Sequence, residues 1–90
     1  MTMYYQPTPY TIFRETDGKG IALNLKTEQY YTMNEMGARM WDLLQEKDSL
    51  EDIIAAIQAE YDVTHDKVVS DLELFLAELR SSGLIELVER

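Results

Sequence analysis

The sequence predicts an α+β domain in which a three-stranded antiparallel β-meander is followed by three α-helices, in the order βββααα. Between residues 10 and 33, short β-type segments alternate with turn signals, as they do in consecutive hairpins. From residue 34 onward, apolar residues recur at helical spacing in three stretches, and each stretch follows a residue that can cap a helix. The 90 residues suit one small domain, which we expect at residues 10–90 after a flexible arm at residues 1–9.

The strands are predicted from alternating apolar residues. They are residues 10–14, 21–26 and 29–33. Asp17-Gly18-Lys19-Gly20 is a turn signal between the first two strands, and a short polar segment separates the second from the third. In the third strand Tyr31 and Met33 share one face, and isoleucine and leucine alternate in the same way in the second.

The helices are predicted from start and stop signals. Asn34, Ser49 and Thr64 are the expected N-caps. The second helix is expected from residue 50 to about residue 61, and the third from residue 64 to about residue 81. Gly83 follows the third helix and ends it in the left-handed conformation that glycine adopts readily. Residues 84–88 then form a short extended tail.

Ser49 permits two interpretations. The string Asp48-Ser49-Leu50 resembles the surroundings of the phosphopantetheine serine in an acyl carrier domain. Asp52 follows Ser49 by three residues, which also resembles a capping box, with Asp in place of the usual Glu. We interpret Ser49 as a helix cap because a carrier domain is a helical bundle, whereas three β-type segments precede Ser49 here.

The composition disfavours several classes of function. The net charge of −9 argues against a partner bound through phosphates, so we expect no nucleic-acid partner. The chain has no cysteine, which fits a reducing cytoplasm, and no apolar run long enough to span a membrane. His65 is the single histidine, and no phosphate-binding, dinucleotide or nucleophile motif is present. We therefore expect no catalysis, no cofactor and no metal.

The last predicted strand, residues 29–33, is an edge strand if sheet order follows sequence order. It contains neither proline nor lysine, which commonly protect edges from pairing. Such an edge is either a liability or a place where a peptide strand is added.

The third helix provides a possible second wall beside that edge. Its apolar stripe consists of Val68, Val69, Leu72, Phe75, Leu76 and Leu79. Most of a stripe packs in the core, but the margin that holds Val68 and Phe75 is bordered by Asp71. A groove between strand and helix would take alternate side chains of an added strand, with Asp71 facing a basic one. Leu74 is expected on the opposite side of the helix, as an exposed leucine.

The chain resembles the PqqD-like family, whose members recognise peptides in pathways of ribosomally made, post-translationally modified peptides (RiPPs). The resemblance is carried by "LNLKTEQYYTMNEMGARMWDLL", "SLEDIIAAIQAEYDV" and "VVSDLELFLAELRSSGLIE" and extends over about residues 10–86. It includes the Tyr-Tyr strand that leads into Asn34, the Trp41-Asp42-Leu43-Leu44 segment and the Gly83-Leu84 pair.

The resemblance implies a winged-helix-like fold without catalytic activity. It implies that the leader segment of a precursor peptide is added as a strand against the third strand, over the third helix. Carried onto this sequence, the peptide-binding residues are Gln29, Tyr30, Tyr31, Thr32, Met33, Val68, Asp71, Leu72 and Phe75.

The stand-alone size resembles the leader-binding partner in lasso-peptide pathways. That partner works with a leader peptidase and a macrocyclase, and we expect this chain to do so as a cytoplasmic monomer. A PqqD-type chaperone for pyrroloquinoline quinone, or for another modified-peptide pathway, is the alternative. An assembly scaffold whose edge strand pairs with a protein, or a winged-helix nucleic-acid binder, also remain open, although the acidic third helix disfavours the latter.

Overall fold

The computed structural model describes residues 3–47 and 49–89. Its elements are β1 (Met3–Pro7), β2 (Thr11–Thr16), β3 (Lys19–Asn24), β4 (Tyr30–Met33), α1 (Glu35–Glu46), α2 (Leu50–Glu60), α3 (His65–Ser81) and β5 (Ile85–Glu89). Asp48, the first residue of the string considered around Ser49, lies outside the described residues, as do Met1, Thr2 and Arg90. Within the described ranges, no helix is long and apolar enough to cross a membrane.

The predicted meander is confirmed as β2, β3 and β4, which form one antiparallel sheet in that order. Ile21 in β3 lies between Arg14 of β2 and Thr32 of β4. The neighbouring positions on β3 and β4, Ala22 and Met33, are buried. One face of the sheet therefore packs on the helices, and β4 forms one border of the sheet.

A second sheet joins the two ends of the described chain, where we expected a flexible arm and a short extended tail. Met3–Pro7 pairs antiparallel with Ile85–Glu89. The Gln6 side chain donates a hydrogen bond of 3.0 Å to Glu86, 80 positions away, and Tyr5 packs against the core. The pairing was missed because each segment is short and its partner lies at the other end of the sequence, where no local pattern reveals it.

The predicted helix caps are confirmed. Each cap side chain accepts the backbone N–H three residues later: Asn34 from Gly37 at 2.8 Å, Ser49 from Asp52 at 3.1 Å and Thr64 from Lys67 at 3.2 Å. Gly83 has a φ of 70°, in the left-handed region that favours glycine. The Ser49 hydroxyl thus acts as a cap, as interpreted from the sequence.

The core forms where the inner face of the meander meets the helices. Phe13 of β2 stacks on Trp41 of α1, with ring centroids 5.1 Å apart. A Cβ atom on Gly20 would lie 2.6 Å from the Phe13 ring, so the glycine lets that ring cross β3. Leu72 and Leu79 of α3 are fully enclosed in the same core. This packing fixes α3 against the sheet and sets its position beside β4.

Candidate functional site

The site begins at the outer border of β4. In the order β2-β3-β4, β4 pairs with β3 on one side, and no strand of the described residues pairs with its other side. The C-terminal strand β5 pairs with β1 instead. The border of the sheet is therefore open at β4, and the chain's own tail does not occupy it.

The register shows which backbone groups face this open border. The Asn24 N–H donates to the Gln29 carbonyl at 2.9 Å. Hydrogen-bonded and non-bonded pairs alternate along an antiparallel ladder, so the Ala22–Tyr31 pair is bonded and the flanking pairs are not. The N–H and C=O groups of Tyr30 and Thr32 consequently point away from β3, where an added strand would meet them.

Helix α3 runs beside this border and forms the second wall of a groove of about 380 Å³. The groove is lined by Tyr31, Thr32, Met33, Asn34, Met36, Gly37, Met40, Lys67, Asp71, Leu74, Phe75 and Glu78. Met33, Met40 and Phe75 are mostly buried and form an apolar floor. The ionisable residues of α3 lie along the rim, so the groove suits a chain that combines apolar and polar side chains.

Two side-chain pairs organise the polar part of the rim. The Tyr31 hydroxyl donates a hydrogen bond to the Glu78 carboxylate, and the Tyr31 ring lies 6.3 Å from that of Phe75. Burial, together with the hydrogen bond and the negative charge of Glu78, raises the pKa of Tyr31 to about 12. The Lys67 ammonium group lies 3.0 Å from the Asp71 carboxylate, one turn along α3. Asp71 is therefore already partnered within its own helix.

A second cleft continues the border at the other end of β4. It measures about 400 Å³ and is lined by Glu28, Gln29, Tyr30, Ser82 and Leu84. The Asn24 side chain joins the two sides of this cleft. Its amide N–H donates to Ser82 C=O at 2.9 Å, and its side-chain oxygen Oδ1 accepts the Lys26 N–H at 2.9 Å. Each of residues 29–33 thus lines one of the two clefts.

The structure distributes the residues predicted from the sequence among three environments. Tyr31, Thr32, Met33, Asp71 and Phe75 line the groove, and Gln29 and Tyr30 line the second cleft. Val68 and Leu72 line neither, because both are enclosed in the core with exposed fractions of 1% and 2%. A peptide in the groove would therefore not touch Val68 or Leu72 directly.

Part of the α3 wall was not predicted from the sequence. Leu74 was expected on the far side of the helix as an exposed leucine; it is 62% exposed, but it lines the groove. The groove lies on the margin of α3 that holds Asp71, Leu74 and Glu78; of the predicted margin, Phe75 lines the groove and Val68 does not. An exposed leucine about one helical turn from an acid on either side, Asp71 and Glu78, was the available signal.

The arrangement supports binding of an extended chain. The open backbone groups of β4 can continue the ladder, and a new strand would lie about 4.8 Å from β4. Alternate side chains of that strand would point towards the apolar floor. In the part of the chain that is described, no cluster of His, Cys, Asp and Glu has the geometry of a metal site.

Comparison with known proteins is consistent with this geometry. Residues 19–85 match the family model of coenzyme PQQ synthesis protein D (PqqD). The structure of TbiB1 in complex with the TbiA(beta) leader peptide is similar, with a TM-score of 0.83, 33% sequence identity and coverage of 90% of this chain and 94% of that chain. A lasso peptide synthetase B1 complexed with the leader peptide shares the fold, with a TM-score of 0.83, 20% identity and coverage of 91% and 96%. None of the curated proteins matches the chain.

Proposed function

This chain belongs to the PqqD family, and from that premise we propose that it is a non-catalytic chaperone that binds the leader segment of a ribosomal precursor peptide by β-strand addition. The leader pairs with the open border of β4 and presents side chains to the groove beside α3. We assign it to lasso-peptide biosynthesis, where a leader peptidase and a macrocyclase act on the bound precursor. A pyrroloquinoline-quinone or other RiPP pathway is the alternative.

The observation that carries the proposal is the coincidence of two features at one place. The outward N–H and C=O groups of Tyr30 and Thr32 supply a binding surface for any extended backbone. The adjacent groove supplies selectivity, since its apolar floor and its acidic rim residues face the same added strand. Neither feature alone would distinguish a binding site from an unprotected edge.

The charge of α3 argues against the nucleic-acid alternative. Asp71 and Glu78 lie on the exposed wall of the groove, where a nucleic-acid reader would need cations. Lys67 is the cation on that wall, and it is paired with Asp71. A peptide with apolar side chains and a basic residue fits this wall better than a phosphate backbone does.

The test is a titration with the leader peptide of a precursor encoded beside this chain. We expect a Kd of about micromolar or tighter, because an added ladder and one or two buried apolar anchors together exceed the cost of association. A scrambled peptide of the same composition is the control. Backbone amide exchange then locates the site: the leader should protect the amides of Tyr30 and Thr32, while that of Tyr31 already bonds to β3. Binding without new protection at Tyr30 and Thr32 would exclude strand addition at β4.

A further inference from the structure

The face of the meander turned away from the helices carries a second apolar surface, which is separate from the groove except at Thr32. Ala22, Met33 and Phe13 point towards the helices, so the alternate positions point outward. We define the outer sheet face as Ile12, Arg14 and Thr16 of β2, Lys19, Ile21 and Leu23 of β3, and Tyr30 and Thr32 of β4. The register aligns Ile12, Leu23 and Tyr30 in one row across all three strands.

This face exposes several neighbouring apolar side chains to water. Ile12 and Ile21 are 42% and 41% exposed, and Tyr30 is 69% exposed. These side chains are neighbours across the strands, unlike single exposed apolar residues, which are common and need no explanation.

The charge of the outer sheet face is also opposite to that of the chain. Its eight positions include Arg14 and Lys19 and no acid, whereas the chain carries 17 acids and a net charge of −9. Glu15 pairs with Gly20, on the alternate positions of the ladder, and Asp17 lies in the turn. Charge complementarity therefore favours a partner with carboxylates around an apolar patch, and it disfavours a symmetric pair of two copies, which would bring Arg14 and Lys19 of both faces together.

We propose that the outer sheet face docks a processing enzyme whose contact surface is apolar and bordered by carboxylates. The proposal rests on the proposed function, because β4 belongs to both surfaces. Its border pairs with the leader while Tyr30 and Thr32 also lie on the outer sheet face. An enzyme docked there would lie beside the bound peptide without entering the groove, which leaves the leader in place while its core segment is processed.

The test separates enzyme docking from leader binding. The variant Ile12→Thr/Ile21→Thr removes exposed apolar area and keeps β-branched residues suited to strands. Arg14→Glu reverses one charge of the face. The control Leu87→Thr removes a leucine that is 39% exposed on β5, in the other sheet. None of these residues lines the groove, so leader affinity should stay at its wild-type value, and the unfolding temperature of each variant is measured to show that it is folded.

The probes are the peptidase and the macrocyclase encoded beside this chain, each titrated against the leader-loaded protein. We expect the double variant to weaken binding of at least one enzyme by about tenfold or more, and the control to have no effect. Arg14→Glu should weaken the same enzyme less, with a loss that shrinks at high salt. Unchanged binding of both enzymes to the double variant overturns the proposal, as does the absence of enzyme binding to the wild type.

Two further results can be distinguished from a failure of the docking proposal alone: loss of leader binding in the wild type, and self-association. If the wild type does not bind leader, the proposed function itself fails, whatever the enzymes do. If sedimentation shows that the wild type is a dimer and the double variant a monomer, the face is an interface between copies of this chain, and the docking proposal is wrong.

Discussion

The hydroxyl of Tyr31 on β4 donates a hydrogen bond to the carboxylate of Glu78 on α3 and so joins the two walls of the groove. The residues are 47 positions apart in sequence. The contact fixes the distance between the open border and the helix at one point, while the Tyr31 ring lies against Phe75 on the floor. The width of the groove therefore depends on a polar contact as well as on core packing.

The first prediction concerns the ionisation of Tyr31. Burial is the largest of the causes that raise the pKa of Tyr31 to about 12, and the hydrogen bond to Glu78 and the charge of Glu78 add to it. Glu78→Gln should therefore lower the Tyr31 pKa without returning it to the ordinary value of 10.0. NMR titration of tyrosines labelled with ¹³C measures this, and Tyr31→Phe identifies the resonance. An unchanged pKa in Glu78→Gln would mean that the hydrogen bond does not form in solution.

The same shift predicts a dependence of stability on pH. The folded-state pKa of Tyr31 lies above its ordinary value, so the folded protein holds the proton more tightly. The stability that this contributes is complete below pH 10 and is lost as the pH rises towards about 12. Denaturant titrations of the wild type should show a steeper loss over this range than those of Tyr31→Phe.

The second prediction tests the backbone ladder at Thr32. Its N–H faces the open border, so Thr32→Pro removes a donor and puts the proline ring where an added strand would lie. Leader binding should weaken by about tenfold or more, since a lost hydrogen bond and a steric clash combine. Thr32→Val keeps the N–H and the β-branched shape and serves as the control. If a folded Thr32→Pro protein binds leader as tightly as the wild type, the leader does not pair with β4.

The third prediction contrasts two leucines of α3. Leu74 is 62% exposed in the groove, so Leu74→Ser should weaken leader binding by about fivefold or more with little change in stability. Leu72 is 2% exposed, so Leu72→Ala should cost about 2–5 kcal/mol of the free energy of unfolding. Leader titration and chemical denaturation of both variants measure the contrast. A Leu74→Ser protein that binds like the wild type would remove Leu74 from the site.

Leu72 and Leu74 also illustrate what the sequence can predict. The spacing of apolar residues predicted α3 and placed Leu72 on its apolar stripe. Helix start signals predicted the caps at Asn34 and Thr64. Periodicity does not show which margin of a stripe meets a neighbouring element, because that depends on how the helix is oriented in the fold. Of the predicted wall, Asp71 and Phe75 therefore line the groove, whereas Val68 lies in the core and Leu74 was not expected to take part.

The pairing of β1 with β5 could not be predicted from the sequence, for a different reason. A strand partner 80 positions away leaves no local signal, so residues 1–9 were expected to form a flexible arm. The meander was predictable because its strands are joined by short turns, and β4 followed as its border. The contact of Tyr31 with Glu78 and that of Lys67 with Asp71 required the three-dimensional arrangement, although the second has the usual spacing of a helical ion pair.

The fourth prediction concerns the charge of Asp71. Its ion pair with Lys67 is exposed and of the kind that contributes little, so a basic leader residue can compete for the carboxylate. Asp71→Lys should weaken a leader with a basic residue at the facing position more than the same leader with glutamine there. The difference should shrink at high salt. Glu73→Gln, on the same helix but outside the groove lining, is the control. Equal losses for both leaders would contradict the pairing.

The fifth prediction concerns Gly83, which follows α3 and lies between Ser82 and Leu84, two residues that line the second cleft. Its φ of 70° costs an alanine about 1–2 kcal/mol, and a Cβ atom there would lie 2.8 Å from the Asn24 side-chain nitrogen. Gly83→Ala should therefore destabilise the protein by about 1–2 kcal/mol or more, because the Asn24 amide must also leave its bond to Ser82 C=O. Chemical denaturation measures this, with Ser82→Ala as the control, since Ser82 uses its backbone for that contact. A Gly83→Ala protein as stable as the wild type would show that α3 can end without the left-handed residue.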